Sequence, residues 1–208
     1  MRILLVGDST VTDDAGWGPG FRARLAPTVE CHNHAQGGRS SKSYRDEGWW
    51  TAALAVPADY VFLQFGHNDQ PGKGPDRETD PDTSFAANMA GYVSDVRARG
   101  RSPVLVTSLT RRTFSGGELH DTLGPYAHAT RRVAAELRVP LVDLHAASTA
   151  LCVALGEDGC AGFSPDGTDM THLNAEGALR FGGLVADLAR DVVAGLRSHL
   201  NREAAPRC

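Results

Sequence analysis

Cysteine is scarce in this chain. Four of its 208 residues are cysteine, and no C-x-x-C pair or His/Cys cluster occurs, so structural zinc is not expected. Cys152 and Cys160 flank Gly156 and Gly159 and are near enough in sequence to bridge a loop; free thiols are the preferred reading, and Cys31 and Cys208 have no evident partner. Long apolar runs are also missing. None approaches the ~20 residues that span a bilayer, so no membrane partner is expected. No basic block or stripe stands out: 21 Lys and Arg face 25 Asp and Glu, a net charge of −4, which argues against nucleic acid. Met1-Arg2 leads straight into an apolar run, without a separate hydrophobic segment or small-residue cleavage site. The expected location is therefore cytoplasmic, with secretion open where a leader precedes this sequence. Three common motifs fail as well. Ser9 is not in a G-x-S-x-G elbow, because Val11 holds the last position. Lys42-Ser43 lacks the glycine that precedes it in a P-loop, and Gly16-Trp17-Gly18-Pro19-Gly20 has the wrong spacing for a dinucleotide fingerprint. No cofactor and no metal is expected.

What is present is an alternating pattern. The length and a hydrophobic content of 41 % fit one domain with a full core, expected over residues 1–200 with a tail at 201–208. Apolar runs at 3–6, 60–65, 104–107 and 141–144, and a weaker one at 29–32, read as strands. Their lack of period-2 alternation indicates burial on both faces. Helical spacing links Phe85, Met89, Tyr92, Val93 and Val96, then Tyr126, Ala129, Val133 and Leu137. A last stripe runs from Phe181 through Val185 and Leu188 to Leu196, with Asn174 as its N-cap. Strands alternating with helices predict an α/β fold: three layers, αβα, around a flavodoxin-like five-stranded parallel sheet of order 2-1-3-4-5. Ligands in such sheets sit at the carboxyl ends of the strands near the switch point. Ser9 follows the first strand and Asn68 the third, which flank that point. Segments 70–83 and 111–124 are polar and read as surface loops at this edge.

Four short elements carry candidate chemistry. Gly7-Asp8-Ser9-Thr10 puts a hydroxyl at a strand end, where it is either a turn residue or a nucleophile. Asp169-Met170-Thr171-His172 precedes the last helix. An aspartate three residues before a histidine can hold one ring nitrogen while the other faces a serine; Asp166 competes for that role from further away. Asn68 is either a turn residue or an oxyanion donor, and Gly37-Gly38-Arg39-Ser40 offers a backbone donor beside it.

Taken together, these elements resemble the SGNH (GDSL-type) hydrolase superfamily. The likeness extends from Gly7 to the helix after His172. Finer features are similar to its rhamnogalacturonan acetylesterase-like branch: the Gly-Asp-Ser-Thr opening, Gly16-Trp17-Gly18, Asn33 to Tyr44, Gln64-Phe65-Gly66-His67-Asn68-Asp69 and Thr171-His172-Leu173. The resemblance implies a serine esterase that removes acetyl groups from pectin-type saccharides, with acetylated oligo- or polysaccharide as its partner. Ser9 would be the nucleophile, and Asp169 and His172 would complete the triad. The Ser9 amide, the Gly38 amide and the Asn68 side chain would form the oxyanion hole, Gly37 staying open as the alternative donor. Arg39, His67 and Trp17 are expected to touch substrate. Arg39, Lys42, Arg111 and Arg112 are candidates for pairing with pectic carboxylates. The segment between Ser9 and Trp17 is shorter than is usual in that branch, which bears on one cleft wall. Other readings are an acetylxylan or short-chain carboxylesterase and a metal-dependent phosphoesterase built on Asp8, His67, Asn68, Asp69, Asp169 and His172. A further one is a carbohydrate-binding protein using Trp49 and Trp50.

Overall fold

The structure is a computed structural model that describes residues 1–201. β1 (Arg2–Gly7) leads to α1 (Gly18–Ala23) and β2 (Glu30–Asn33). Helices α2 (Ser43–Asp46) and α3 (Trp49–Ala55) precede β3 (Tyr60–Gln64). A π-helical turn, Pro81–Phe85, opens α4 (Ala86–Ala98), and β4 (Ser102–Val106) follows. A small hairpin of β5 (Phe114–Ser115) and β6 (Glu118–Leu119) comes before α5 (Gly124–Leu137). The chain ends with β7 (Leu141–Val142), α6 (Leu144–Ala161), α7 (Ala175–Val192) and a 3-10 turn, Ala194–Leu196.

The main sheet has the order β2-β1-β3-β4-β7, all parallel, the arrangement expected from the sequence. Successive residues of a strand point to opposite faces, and both faces here are covered. Ile3 and Leu5, with Phe62, Val104 and Val106, pack against Trp17 and Phe21 near and on α1 and Phe181 and Val185 of α7. Leu4 and Val6, with Val61, Leu63 and Leu105, pack against Trp50 of α3, Met89, Tyr92 and Val96 of α4, and Val133 of α5. This two-sided burial is why the strands read as unbroken apolar runs. Gly7 of β1 pairs with Gln64 of β3, so the residues after each strand emerge side by side. Asn174 caps α7 as expected, its Oδ1 accepting from Gly177 N at 2.9 Å.

Several features go beyond the sequence reading. Residues 144–161 form α6, bent where Gly156 takes φ 69°, ψ −178°. Cys152 and Cys160 lie on it as free, buried thiols, and Cys31 is free too; Cys208 lies outside the described residues. Segment 111–124 contains the β5–β6 hairpin, and Arg112 within it is 1 % exposed. The expected tail begins with Asn201, whose N–H donates to Arg24 O at 2.8 Å; residues 202–208 lie outside the described residues. Among the described residues, no helix is long and apolar enough to cross a membrane.

Candidate active site

The end of β1 is tied down by a buried chain of hydrogen bonds. Asp8 Oδ1 accepts from Thr10 N (2.9 Å) and Thr10 Oγ1 (2.7 Å). Thr10 Oγ1 accepts from Gln64 Nε2 at 2.7 Å, and Gln64 Oε1 accepts from Trp17 Nε1 at 2.8 Å. Asp8, Thr10, Gln64 and Trp17 are all fully buried. The other oxygen of Asp8 lies 3.4 Å from Nδ1 of His67, itself only 3 % exposed in the turn after β3. Burial pushes the Asp8 carboxyl up, but the facing imidazole and the Thr10 bonds outweigh it and hold it below its ordinary range. Ser9 therefore projects from a backbone fixed on both sides. The expected substrate contact by Trp17 does not survive, because an indole wrapped in core with its N–H on Gln64 has no surface to offer.

The other half of the site is a loop. Asp166 Oδ1 accepts from Thr168 N (2.8 Å) and Asp169 N (2.8 Å). Asp169 Oδ1 then accepts from Thr171 N (2.8 Å) and His172 N (2.9 Å). These are two successive aspartate turns, so Asp166 shapes the loop instead of serving the histidine. From below, Arg112 NH2 donates to the carbonyls of His172 (2.6 Å) and Asp169 (3.1 Å), and Arg112 N donates to Met170 O at 2.8 Å. Leu173 N–H donates to Ala15 O at 2.9 Å, joining the loop to the segment after Ser9.

The two halves meet in one line of hydrogen bonds. Ser9 Oγ lies 2.8 Å from Nε2 of His172, and His172 Nδ1 lies 2.6 Å from Oδ2 of Asp169. Burial pushes the Asp169 carboxyl up, but the His172 and Thr171 N–H groups and the imidazole hold it down at about 2. An ionised Asp169 accepts the Nδ1 proton, so Nε2 presents its lone pair to the Ser9 hydroxyl; this tautomer follows from the partners. The arrangement can take a proton from Ser9 Oγ as that oxygen attacks.

Donors stand close to Ser9. Gly66 takes φ 142°, and an added Cβ would collide with Ser108 Oγ, so the turn that presents Asn68 requires glycine. Asn68 is 8 % exposed and donates one amide hydrogen to Arg39 O at 3.2 Å, leaving the other. Gly37 comes near enough that an added Cβ would lie 3.7 Å from Ser9 Cβ, while Gly38 sits in the left-handed region at φ 78°. Ser9 lies between two compartments of the cleft. One, about 480 Å³, is lined by Gly37, Gly38, His67, Asn68, Lys73, Arg111, Asp169, Thr171 and His172. The other, about 370 Å³, is lined by Thr12, Asp13, Asp14, Ala15, Asn33, Ala35, Gln36 and Gly37.

The other expected contacts divide. His67 lines the larger compartment. Arg39 lines neither: its guanidinium pairs with Glu47 (2.8 Å) and donates to Gly37 O (2.8 Å). Lys42 Nζ donates to Pro75 O at 2.8 Å. Arg112 is sealed beneath the loop, which removes it as a contact for substrate carboxylates and gives it a positioning place that the sequence reading missed. Trp50 is core, 4 % exposed, and Trp49 is 36 % exposed beneath Arg39. Among the described residues no three His, Cys, Asp or Glu side chains converge as metal ligands do, so the phosphoesterase reading lacks an assembled ligand set.

A parallel sheet between helical layers, with a serine–histidine–aspartate line at the carboxyl ends of its strands, is the form that a serine hydrolase takes. The sequence matches the GDSL-like lipase/acylhydrolase family over residues 5–180, and the chain belongs to that family. It is 35 % identical to the rhamnogalacturonan acetylesterase RhgT of Bacillus subtilis (strain 168), over 96 % of this chain and 94 % of the relative. The rhamnogalacturonan acetylesterase of Emericella nidulans is 30 % identical, over 85 % of this chain and 79 % of its own. The crystal structure of Bacillus subtilis YxiM superposes with a TM-score of 0.82 at 29 % identity; this chain covers 57 % of it. A variant of the acetyl xylan esterase Axe2 of Geobacillus stearothermophilus superposes at 0.72 with 15 % identity, a likeness of fold alone.

Proposed function

We propose that this carboxylic ester hydrolase removes acetyl groups from a pectin-type saccharide, with Ser9 as nucleophile, His172 as base and Asp169 as its orienting partner. The observation that carries the reading is the unbroken line from Ser9 Oγ through His172 to Asp169, at 2.8 and 2.6 Å. Ser9 Oγ attacks the acetyl carbonyl carbon and its proton passes to His172 Nε2. The negative oxygen that forms is met by the Ser9 and Gly38 amides and the free Asn68 hydrogen. His172 then returns the proton to the departing sugar hydroxyl, leaving an acetyl-serine. Water, deprotonated by the same nitrogen, attacks the acetyl-serine carbonyl. Acetate leaves and Ser9 regains its proton.

The names of the relatives above support the pectic substrate. So does the cleft itself, whose walls carry Lys73, Arg111, Asp13, Asp14 and Asp169, charges that suit a hydroxyl-rich ligand better than a long acyl chain. The test is a chain-length series of p-nitrophenyl esters followed by acetate release from acetylated rhamnogalacturonan and acetylated xylan. Acetyl esters should be turned over fastest, and rhamnogalacturonan before xylan. An optimum at eight carbons or more would overturn the saccharide reading, and faster release from xylan would replace the pectic substrate with xylan.

A further inference from the structure

Arg22, Arg24, Arg39, Arg45, Arg131 and Arg132 each have a carboxylate within 4.0 Å. Of the described basic residues that have none, Lys73 and Arg111 are the two that line the larger compartment beside Ser9. Arg111 is half-buried and held only by neutral acceptors: Thr171 Oγ1 at 2.5 Å, Gln70 Oε1 at 2.9 Å and, more weakly, His67 O at 3.5 Å. A guanidinium has five N–H donors, so two stay unspent. A half-buried guanidinium is costly unless paired. These bonds fix its orientation, while the carboxylates of Asp8 and Asp169 act on it from beyond 4.0 Å.

The opposite compartment is acidic. Asp13 and Asp14 line it, and Asp13 pairs with Arg22. Both basic side chains of the cleft thus lie on the His172 side of Ser9, beside Asp169, and the other side holds none. We infer that Arg111, assisted by Lys73, is a specificity-determining contact for a substrate carboxylate, so that a uronate residue lies on the His172 side of Ser9 and uncharged sugar hydroxyls lie on the Asp13–Asp14 side. This inference rests on the saccharide esterase reading above. Thr171 ties Arg111 to the residue before His172, so a carboxylate held there places its sugar within one residue of the base.

The experiment compares acetylated rhamnogalacturonan oligosaccharides with the same preparation after its carboxyl groups are reduced to alcohols. The unsubstituted enzyme should favour the acidic substrate in kcat/KM, and added salt should erode that preference alone. Arg111→Gln should cut the acidic-to-neutral ratio about tenfold or more, through KM, as expected when a charge-assisted contact is lost. Lys73→Gln, on a more open loop, should cut it several-fold and guards against a folding defect in the first variant. Equal kcat/KM for the two substrates in the unsubstituted enzyme would overturn the inference. So would variants that lower both substrates equally through kcat, since Arg111 would then act on the Asp169–His172 pair. Hydrolysis of p-nitrophenyl acetate by the unsubstituted enzyme is read alongside. Its absence would bring down the esterase reading itself, whereas its presence with no acidic preference brings down only this inference.

Discussion

Around Ser9 the polar groups are sealed: Asp8, Thr10 and Gln64 have no exposure and bond one another across two strands. Around His172 they are about a third exposed, and the loop is shaped by its own aspartates and by Arg112 beneath it. Ser9, the proposed nucleophile, inherits its position from the sheet, so its placement costs nothing beyond folding the core. His172, the proposed base, has no strand to stand on. Its position is made from side-chain bonds to backbone, and single substitutions can loosen it without unfolding the protein.

The sharpest way to break the pairing is to remove either end. Ser9→Ala and His172→Ala should each lower kcat by about 10⁴-fold or more, with the double variant little worse, because such groups act as a unit. A folded Ser9→Ala protein with full activity on p-nitrophenyl acetate would falsify the assignment. Asn68→Ala should lower kcat by about 10²–10³-fold with a smaller change in KM, since an oxyanion donor works in the transition state. A change confined to KM would make it a substrate contact instead. Arg112→Met tests the loop side: kcat should fall about tenfold through misplacement of His172, and stability by about 2–4 kcal/mol as buried carbonyls lose their partner. A destabilised Arg112→Met with unchanged kcat would show that the loop holds its shape without the clamp.

The smallest effects are in pH. Asp169, held down at about 2, stabilises the fold fully above its ordinary value of 3.8, and that contribution is lost as pH falls toward 2. Asp69 behaves oppositely. Burial pushes it up to about 6 against its bonds from Ser41 and Thr79, so its contribution is present below 3.8 and is lost as pH rises through 6. Thermal midpoints should thus fall less between pH 4 and 2 in Asp169→Asn than in the unsubstituted protein, and less between pH 4 and 6 in Asp69→Asn. Identical slopes in the variants would remove these carboxylates from the account.

The sheet was legible because both faces of β1, β3 and β4 are covered, which writes an apolar residue at nearly every position. Ser9, Asn68, Asp169 and His172 were legible because each lies in a short motif next to an element boundary. α6 was not, since Gly156 breaks its periodicity. The β5–β6 hairpin pairs two residues with two, too few to leave a pattern. Trp17 was expected to touch substrate on the strength of the family likeness; nothing local reveals that Gln64, 47 residues on, receives its N–H. Arg111 and Arg112 look alike in sequence. In extended chain, neighbours face opposite ways, so one of an adjacent pair at a cleft edge should turn inward, a signal that was there to be used.

The separation of Ser9 and His172, 163 residues apart, has a consequence for biosynthesis. A ribosome makes Ser9 well before His172, and β1 lies inside the sheet between β2 and β3, so its neighbours must be added on both sides as they emerge. The proton acceptor arrives only after β7 and α6 have been made, and α7, which covers α1 and the same face of β1, arrives after that. On the proposed mechanism, nascent chains that stop short of His172 carry a serine with no base and should not cleave esters. On that mechanism ester cleavage needs the chain through His172 and α7, and its appearance during cell-free translation would time the docking of that segment.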